Sequence, residues 1–155
     1  GGWKVKHRWR NQPVGGGYGA GDCGDTHLNA DDDYPEFVVP LAGAVSGGEG
    51  IRGIAICGSG VGACIAANKV RGVRACLIHE AYSARQGVED DDMNVLCLGG
   101  KAIGSAIALE WIRTFLTAHF SNAPHHRRHS DKSAGPRDWQ NWAVIPANSA
   151  SSGDR

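Results

Sequence analysis

The chain predicts an α/β fold, a parallel sheet covered by helices on both faces. Three observations predict it. Short apolar runs alternate with helix-length segments between residues 31 and 120, the pattern of a parallel sheet covered on both faces. The run Gly53-Ile54-Ala55-Ile56-Cys57 passes through Gly58, Gly60 and Gly62 into an alanine-rich segment, which reads as strand, loop and helix. The last regular segment sets Ile103, Ile107, Ile112, Phe115, Leu116 and His119 at helical spacing on one face.

Taken in order, residues 1–30 contain many Gly, Arg and Asn residues, including the run from Gly15 to Gly21, and lack either periodicity. They read as mostly irregular. The regular part begins with a helix over residues 36–46 and a strand over Gly53–Cys57, followed by the glycine loop and a helix reaching residue 70. A strand over 74–78, a short helix over 81–88, a strand over 94–98 and a long helix over 104–120 complete it. Beyond residue 130 the pattern is lost, although Trp139 and Trp142 are suited to anchoring the tail on a surface. The expected division is therefore 1–30, 31–130 and 131–155.

A length of 155 residues fits one domain with a sizeable core. The 16 basic and 16 acidic residues cancel, so no nucleic-acid partner is expected. No apolar run approaches the roughly 18 residues of a membrane helix, and the glycine-rich start does not read as a signal peptide. The expectation is a soluble cytoplasmic protein. The five cysteines, Cys23, Cys57, Cys64, Cys76 and Cys97, form no CxxC pair. Reduced, buried thiols fit better than a disulfide framework or a zinc site.

The glycine loop carries the chemistry. Gly58, Gly60 and Gly62 allow successive backbone N–H groups to turn toward one point, and the helix that follows adds its own. A phosphate, carboxylate or enediolate oxygen suits such a place. The same field favours a thiolate at Cys57. Two readings stand for Cys57 at this level: a base or nucleophile, or a small apolar residue filling a tight turn. Ligands in such folds gather beyond the carboxyl ends of the strands, so four loops are expected on one rim. They are the loop after Cys57, residues 79–83, residues 89–92 and residues 99–101.

The ordered motifs resemble a known family. Asp33-Tyr34-Pro35, Ile56-Cys57-Gly58-Ser59-Gly60-Val61-Gly62, Ile65-Ala66-Ala67-Asn68-Lys69, Tyr82-Ser83-Ala84-Arg85, Asn94-Val95-Leu96 and Gly99-Gly100-Lys101-Ala102-Ile103-Gly104 are similar to type B ribose-5-phosphate isomerases, a family that includes the galactose-6-phosphate isomerase subunits. The resemblance covers residues 31–128. It implies a Rossmann-like three-layer α/β/α homodimer that interconverts aldose and ketose phosphates without metal or cofactor. It assigns Cys57 as the base at the carbon beside the carbonyl and Ser59 as the hydroxyl that assists at the oxygens. Gly58, Gly60, Val61 and Gly62 become the loop that holds the enediolate, and Tyr34 a substrate-side tyrosine. Preorganised donors aimed at the developing oxyanion make a weak carbon acid reachable.

Departures from the family pattern are equally specific. The family opens with a strand ending in an Asp-His pair, then a helix and a second strand; residues 1–30 show none of these, so the first β-α-β unit is expected to be missing or altered. In Glu89-Asp90-Asp91-Asp92, Asp90 stands where the resemblance implies a ring-opening histidine, and Asp91 where it implies an anion-holding asparagine. An unperturbed aspartate, with a pKa of about 3.9, seldom donates a proton near neutrality. Three readings stand for this segment: a solvated acidic loop, a catalytic Asp90 whose neighbours raise its pKa, and a metal-binding patch. His79 is a substitute acid or a structural histidine. In His125-His126-Arg127-Arg128-His129, the resemblance matches His125 and Arg128 to a phosphate clamp reaching into the partner subunit, with Pro124 where another arginine is common. Arginine's planar fork suits that role; a solvated basic tail is the alternative.

Three classes of function follow. The adopted one is an isomerase acting on a phosphorylated sugar. The others are a relative that binds sugar phosphate with impaired turnover, and a non-enzymatic interaction protein that uses its tryptophan-bearing tail.

Overall fold

The computed structural model describes residues 35–133 and, for the backbone, residues 7–14 and 18–23. In chain order the elements are β1 (His7–Val14), β2 (Tyr18–Cys23), α1 (Pro35–Ser46), β3 (Gly53–Cys57), α2 (Val61–Ala67), β4 (Ala75–Leu77), α3 (Ala81–Asp91), β5 (Val95–Gly99), α4 (Ser105–Thr117) and α5 (Pro124–Ser133). Tyr34 and the tryptophan-bearing tail lie outside the described residues.

β3, β5 and β4 form a parallel sheet in that order. Every residue of the central β5 is buried, because a parallel strand covered on both faces has no solvated side. Its alternation divides the core in two. Val95 and Cys97 join Ala42 and Val45 of α1 and Ala63 and Ala67 of α2 in one cluster. Leu96 and Leu98 join Val88 of α3 and Trp111 and Phe115 of α4 in the other. This is the expected α/β/α sandwich, with β3 at one edge of the parallel sheet among the described residues.

Residues 7–14 and 18–23 correct the expectation of irregular chain. β1 and β2 pair antiparallel, from His7 opposite Cys23 to Val14 opposite Tyr18, with a register shift between Arg8 and Gln12. Backbone pairing across a short connection needs no hydrophobic alternation, the signal on which the sequence reading relied.

Polar side chains complete the edge strand. The Asn68 amide, at the end of α2, accepts from the N–H of Ala75 at 2.9 Å and donates to its carbonyl at 2.8 Å, so it stands in for a neighbouring strand. α2 itself ends at Ala67, short of the expected residue 70, and the chain runs on to Val70 in tighter turns, with the Lys69 and Val70 N–H groups each donating to the carbonyl three residues back at 3.1 Å. Asn94 likewise accepts from the N–H of Arg74 at 2.8 Å and donates to the carbonyl of Gly72 at 2.9 Å. Cys76, expected to be buried, is exposed on this edge strand, whereas Cys97 is buried and its burial pushes the thiol far above the ordinary range.

The inward face of α4 is rotated from the one the sequence suggested. Trp111 and Phe115 are buried and Ile107 is 50% exposed. The two aromatic rings, one turn apart, set the rotation because they carry the largest apolar area. Arg52 then caps the end of α4 by donating to the carbonyls of Phe115 and Ala118. No helix among the described residues is long and apolar enough to cross a membrane. α5 runs to Ser133, through the boundary expected at residue 130.

The rotation of α4 has a direct stability consequence. Phe115→Ala is expected to cost about 3–5 kcal/mol in urea unfolding, as for other fully buried aromatics. Ile107→Ala on the same helix is expected to cost under about 1 kcal/mol.

Candidate functional site

The loop after β3 is shaped by two places where only glycine fits. Gly60 has φ +82°, and a Cβ there would lie 2.4 Å from Cδ1 of Leu77 and 2.8 Å from the carbonyl carbon of Leu98. A Cβ on Gly99 would lie 2.7 Å from the carbonyl oxygen of Ser59. The loop therefore seats directly on the carboxyl end of β5, tied by N–H bonds from Gly100 to the Cys57 carbonyl at 2.8 Å and from Lys101 to the Gly58 carbonyl at 3.0 Å.

Seating the loop this way brings together Cys57, Gly58, Ser59, Gly60, Val61 and Gly62. The Gly60 N–H donates to the Cys57 sulfur at 3.1 Å, and the Val61 N–H donates to the Ser59 hydroxyl at 3.3 Å. Cys57 is half-buried, packed in part against the core, and Ser59 is exposed. The N–H at sulfur complements negative charge there.

Lys101 borders the same loop. Its Cδ and Cε would each lie 3.8 Å from a Cβ on Gly58, placing an ammonium group beside the loop. Its position in the sequence, just after a strand end, is the signal for that placement.

His79 lies on the same rim, after β4, and is exposed. Beside it, Glu80 caps α3 by accepting the Ser83 N–H at 2.9 and 3.0 Å. Those bonds hold the Glu80 carboxyl below the usual range.

The acidic segment is not on that rim. Glu89, Asp90 and Asp91 form the last turn of α3, and Asp92 is its left-handed cap at φ +53°. α3 starts at the carboxyl end of the sheet and returns the chain to the amino end. There the Gly53 N–H bonds the Asn94 carbonyl at 2.8 Å, and Arg74 pairs with Asp92 at 2.6 Å. Three of the four expected loops share the rim, and the fourth lies across the sheet.

Carboxylates at a helix C-terminus oppose the helix dipole, and this helix offsets them with partners. Asp90 accepts from Gln86 Nε2 at 2.7 Å and lies 3.4 Å from His126 Nε2. Glu89 lies 3.8 Å from Arg85, and Asp91 is exposed. Among the described residues, no group of three or more His, Cys, Asp or Glu side chains is arranged to hold a metal ion.

α5, absent from the sequence reading, carries His125 and Arg128, both exposed. His125 packs edge-on against His126 with ring centroids 3.9 Å apart. His126 and Ser121 were also missed; their link to Asp90 depends on how α5 folds back on α3, which local sequence does not encode. Within one chain, then, the Cys57 loop and the cluster of Asp90, His125 and Arg128 stand at opposite ends of the sheet.

The fold and site place this chain among doubly covered parallel-sheet α/β proteins that carry a glycine loop at the carboxyl edge of the sheet, and comparison with known proteins gives the family. The profile of the Ribose/Galactose Isomerase family matches residues 2–132, and the chain belongs to that family. It is 35% identical over 130 residues to ribose-5-phosphate isomerase B of Mycobacterium tuberculosis, covering 84% of this chain and 80% of that one. It is 42% identical over 87 residues to D-erythrulose-4-phosphate isomerase of Pectobacterium atrosepticum, covering 56% and 57%. Among solved structures it resembles ribose-5-phosphate isomerase B of Mycoplasma genitalium with bound ribulose-5-phosphate. That match has a TM-score of 0.67 and 38% identity, covering 72% of this chain and 73% of that one.

Gly60→Ala should cost roughly 1–3 kcal/mol, since it combines a left-handed φ with contact against backbone. Thermal unfolding checks it. Iodoacetamide labelling of Cys57 in the folded variant should change in rate, because the N–H that faces the sulfur moves.

Proposed function

We propose that this chain interconverts an aldose phosphate and a ketose phosphate of the ribose 5-phosphate/ribulose 5-phosphate type, with Cys57 as the carbon-acid base. The observation that carries the reading is the Cys57 sulfur at the carboxyl end of β3, faced by the Gly60 N–H at 3.1 Å, on a loop held where neither Gly60 nor Gly99 leaves room for a Cβ. The thiolate takes the proton from C2 of the open-chain aldose, and the electron pair forms an enediolate. The N–H groups of residues 58–62 and the Lys101 ammonium offset the charge that develops on oxygen. Ser59 moves the proton between the two oxygens. Cys57 then returns its proton to C1, giving the ketose with no net change in the enzyme.

His125 and Arg128 serve as phosphate ligands in this reading, with Tyr34 on the substrate side and Asp91 at the edge of the anion site. His125, Arg128, Asp90 and Asp91 stand across the sheet from their own Cys57. They reach substrate only if a second copy supplies them, so the reading includes a homodimer with shared sites. His79 stands beside the rim as a reserve acid–base group. Reduced thiols and phosphorylated substrates suit a cytoplasmic setting.

Purified protein should convert ribose 5-phosphate to ribulose 5-phosphate, with D-erythrulose 4-phosphate as the alternative substrate suggested by the relative named for it. Cys57→Ala should lower turnover by about 10²–10⁴-fold, the usual contribution of a positioned general base. Ligand protection against thermal unfolding without turnover would favour the binding-only reading instead.

Shared sites make a second prediction. Cys57→Ala and Arg128→Ala chains, unfolded together and refolded, should recover about a quarter of wild-type activity, because random pairing makes half the dimers mixed and each holds one intact site. No recovery from a properly dimeric mixture would rule out the sharing.

A further inference from the structure

We propose that Asp90, His126 and Ser121 form a proton relay that opens the sugar ring before Cys57 acts; this rests on the isomerase reading above. Ribose 5-phosphate is a closed furanose in water. Its carbonyl appears only when a proton leaves the anomeric hydroxyl, another reaches the ring oxygen, and the bond between C1 and that oxygen breaks. Cys57 is committed to carbon and Ser59 to the enediolate oxygens. A separate acid–base group is needed, and imidazole is the side chain suited to exchanging protons near neutral pH.

Among the described residues, His126 is the histidine within ion-pair distance of a carboxylate. Its Nε2 lies 3.4 Å from Asp90 Oδ1, and its Nδ1 lies 2.6 Å from the Ser121 hydroxyl. A carboxylate only accepts, so the relay uses the tautomer with its hydrogen on Nε2, which leaves Nδ1 to take the hydroxyl proton. Asp90 is held from the other side by Gln86 at 2.7 Å. Ser121 is tied to α3 by its own N–H, which bonds the Glu89 carbonyl at 2.9 Å.

The His126 side chain is only 18% exposed, and the chain of contacts ends on an exposed hydroxyl. A shielded imidazole with an exposed terminal group has the form of a relay rather than of a surface ion pair. The candidate phosphate ligands are on the same helix, His125 with its ring 3.9 Å from His126 and Arg128 one turn beyond it. A sugar whose phosphate is bound there presents its ring to Ser121.

In the step itself, the anomeric O1–H passes its proton to the Ser121 oxygen while Ser121 passes its own to Nδ1. The imidazolium that forms is held by Asp90. As the bond from C1 to the ring oxygen breaks and C1=O forms, the proton returns by the same path to that oxygen. Nothing is oxidised or reduced, and the relay ends as it began. Ser121 is the group that touches substrate; His126 and Asp90 position and charge it.

Ribulose 5-phosphate separates this role from the rest of the reaction. Its C5 oxygen carries the phosphate, so it cannot close a furanose and needs no ring opening. His126→Gln and Ser121→Ala, each checked for folding by circular dichroism, should lower turnover of ribose 5-phosphate at least tenfold. Both should leave exchange of the C1 proton of ribulose 5-phosphate with deuterated water, followed by NMR, within twofold of wild type. Cys57→Ala should abolish both. Equal loss of turnover and exchange in the His126 and Ser121 variants, or no loss in either, overturns the relay. A wild-type protein inactive in both assays overturns the isomerase reading and the relay with it.

Discussion

The seat of the β3–α2 loop on the end of β5 is the contact on which the rest of the site depends. Gly60 brings its backbone against the Leu98 carbonyl carbon, and Gly99 brings its own against Ser59. Because neither position has room for a Cβ, the loop cannot shift without opening the core beneath it. The same contact turns the Gly60 N–H onto the Cys57 sulfur and places Lys101 beside Gly58. Packing and chemistry are thus one constraint, since the groups that hold the loop down are neighbours of those that face a ligand.

Polar clamps do for the thin sheet what further strands would do for a wider one. Among the described residues, three parallel strands leave backbone groups at the edges. Asn68 satisfies both groups of Ala75 with one amide, and Asn94 does the same for the turn ahead of β4. A buried or half-buried backbone group left unpaired costs more than a typical hydrogen bond contributes. These asparagines therefore belong to the fold.

The two ends of α3 divide the electrostatics of the molecule. Its N-terminus carries Glu80, whose carboxylate suits the dipole and is held below its usual range by the Ser83 N–H. Its C-terminus carries acids that oppose the dipole and are met by Arg85, Arg74, Gln86 and His126. The α5 helix thereby gains a docking point on α3. That point also brings the basic residues of α5 to the end of the sheet remote from their own Cys57, so the chemistry of the chain is split between two ends.

Most of the fold was legible in residues 53–99, because strand-length apolar runs and helix-length segments carry their period locally. The bounds of β3 and the class of the Cys57 loop followed from that pattern and from glycine's conformational freedom. Other features depend on distant partners. Ile107 and Trp111 have comparable local claims to the core, and only the sheet beneath decides which turns inward. The acidic run of residues 89–92 has a loop's composition, yet three of its members extend α3, where Arg85 and Gln86 of the same helix and His126 of α5 meet two of them. The hairpin of β1 and β2 rests on backbone pairing, which leaves little mark on side-chain order. By itself, then, the sequence determined the layered class of the fold and the thiol on its glycine loop. Only the tertiary structure decided that Asp90 meets His126, that Lys101 lies beside the loop, and that the acidic and basic residues stand across the sheet from Cys57. Those relations are set by how helices fold back on one another, over separations that local periodicity does not reach.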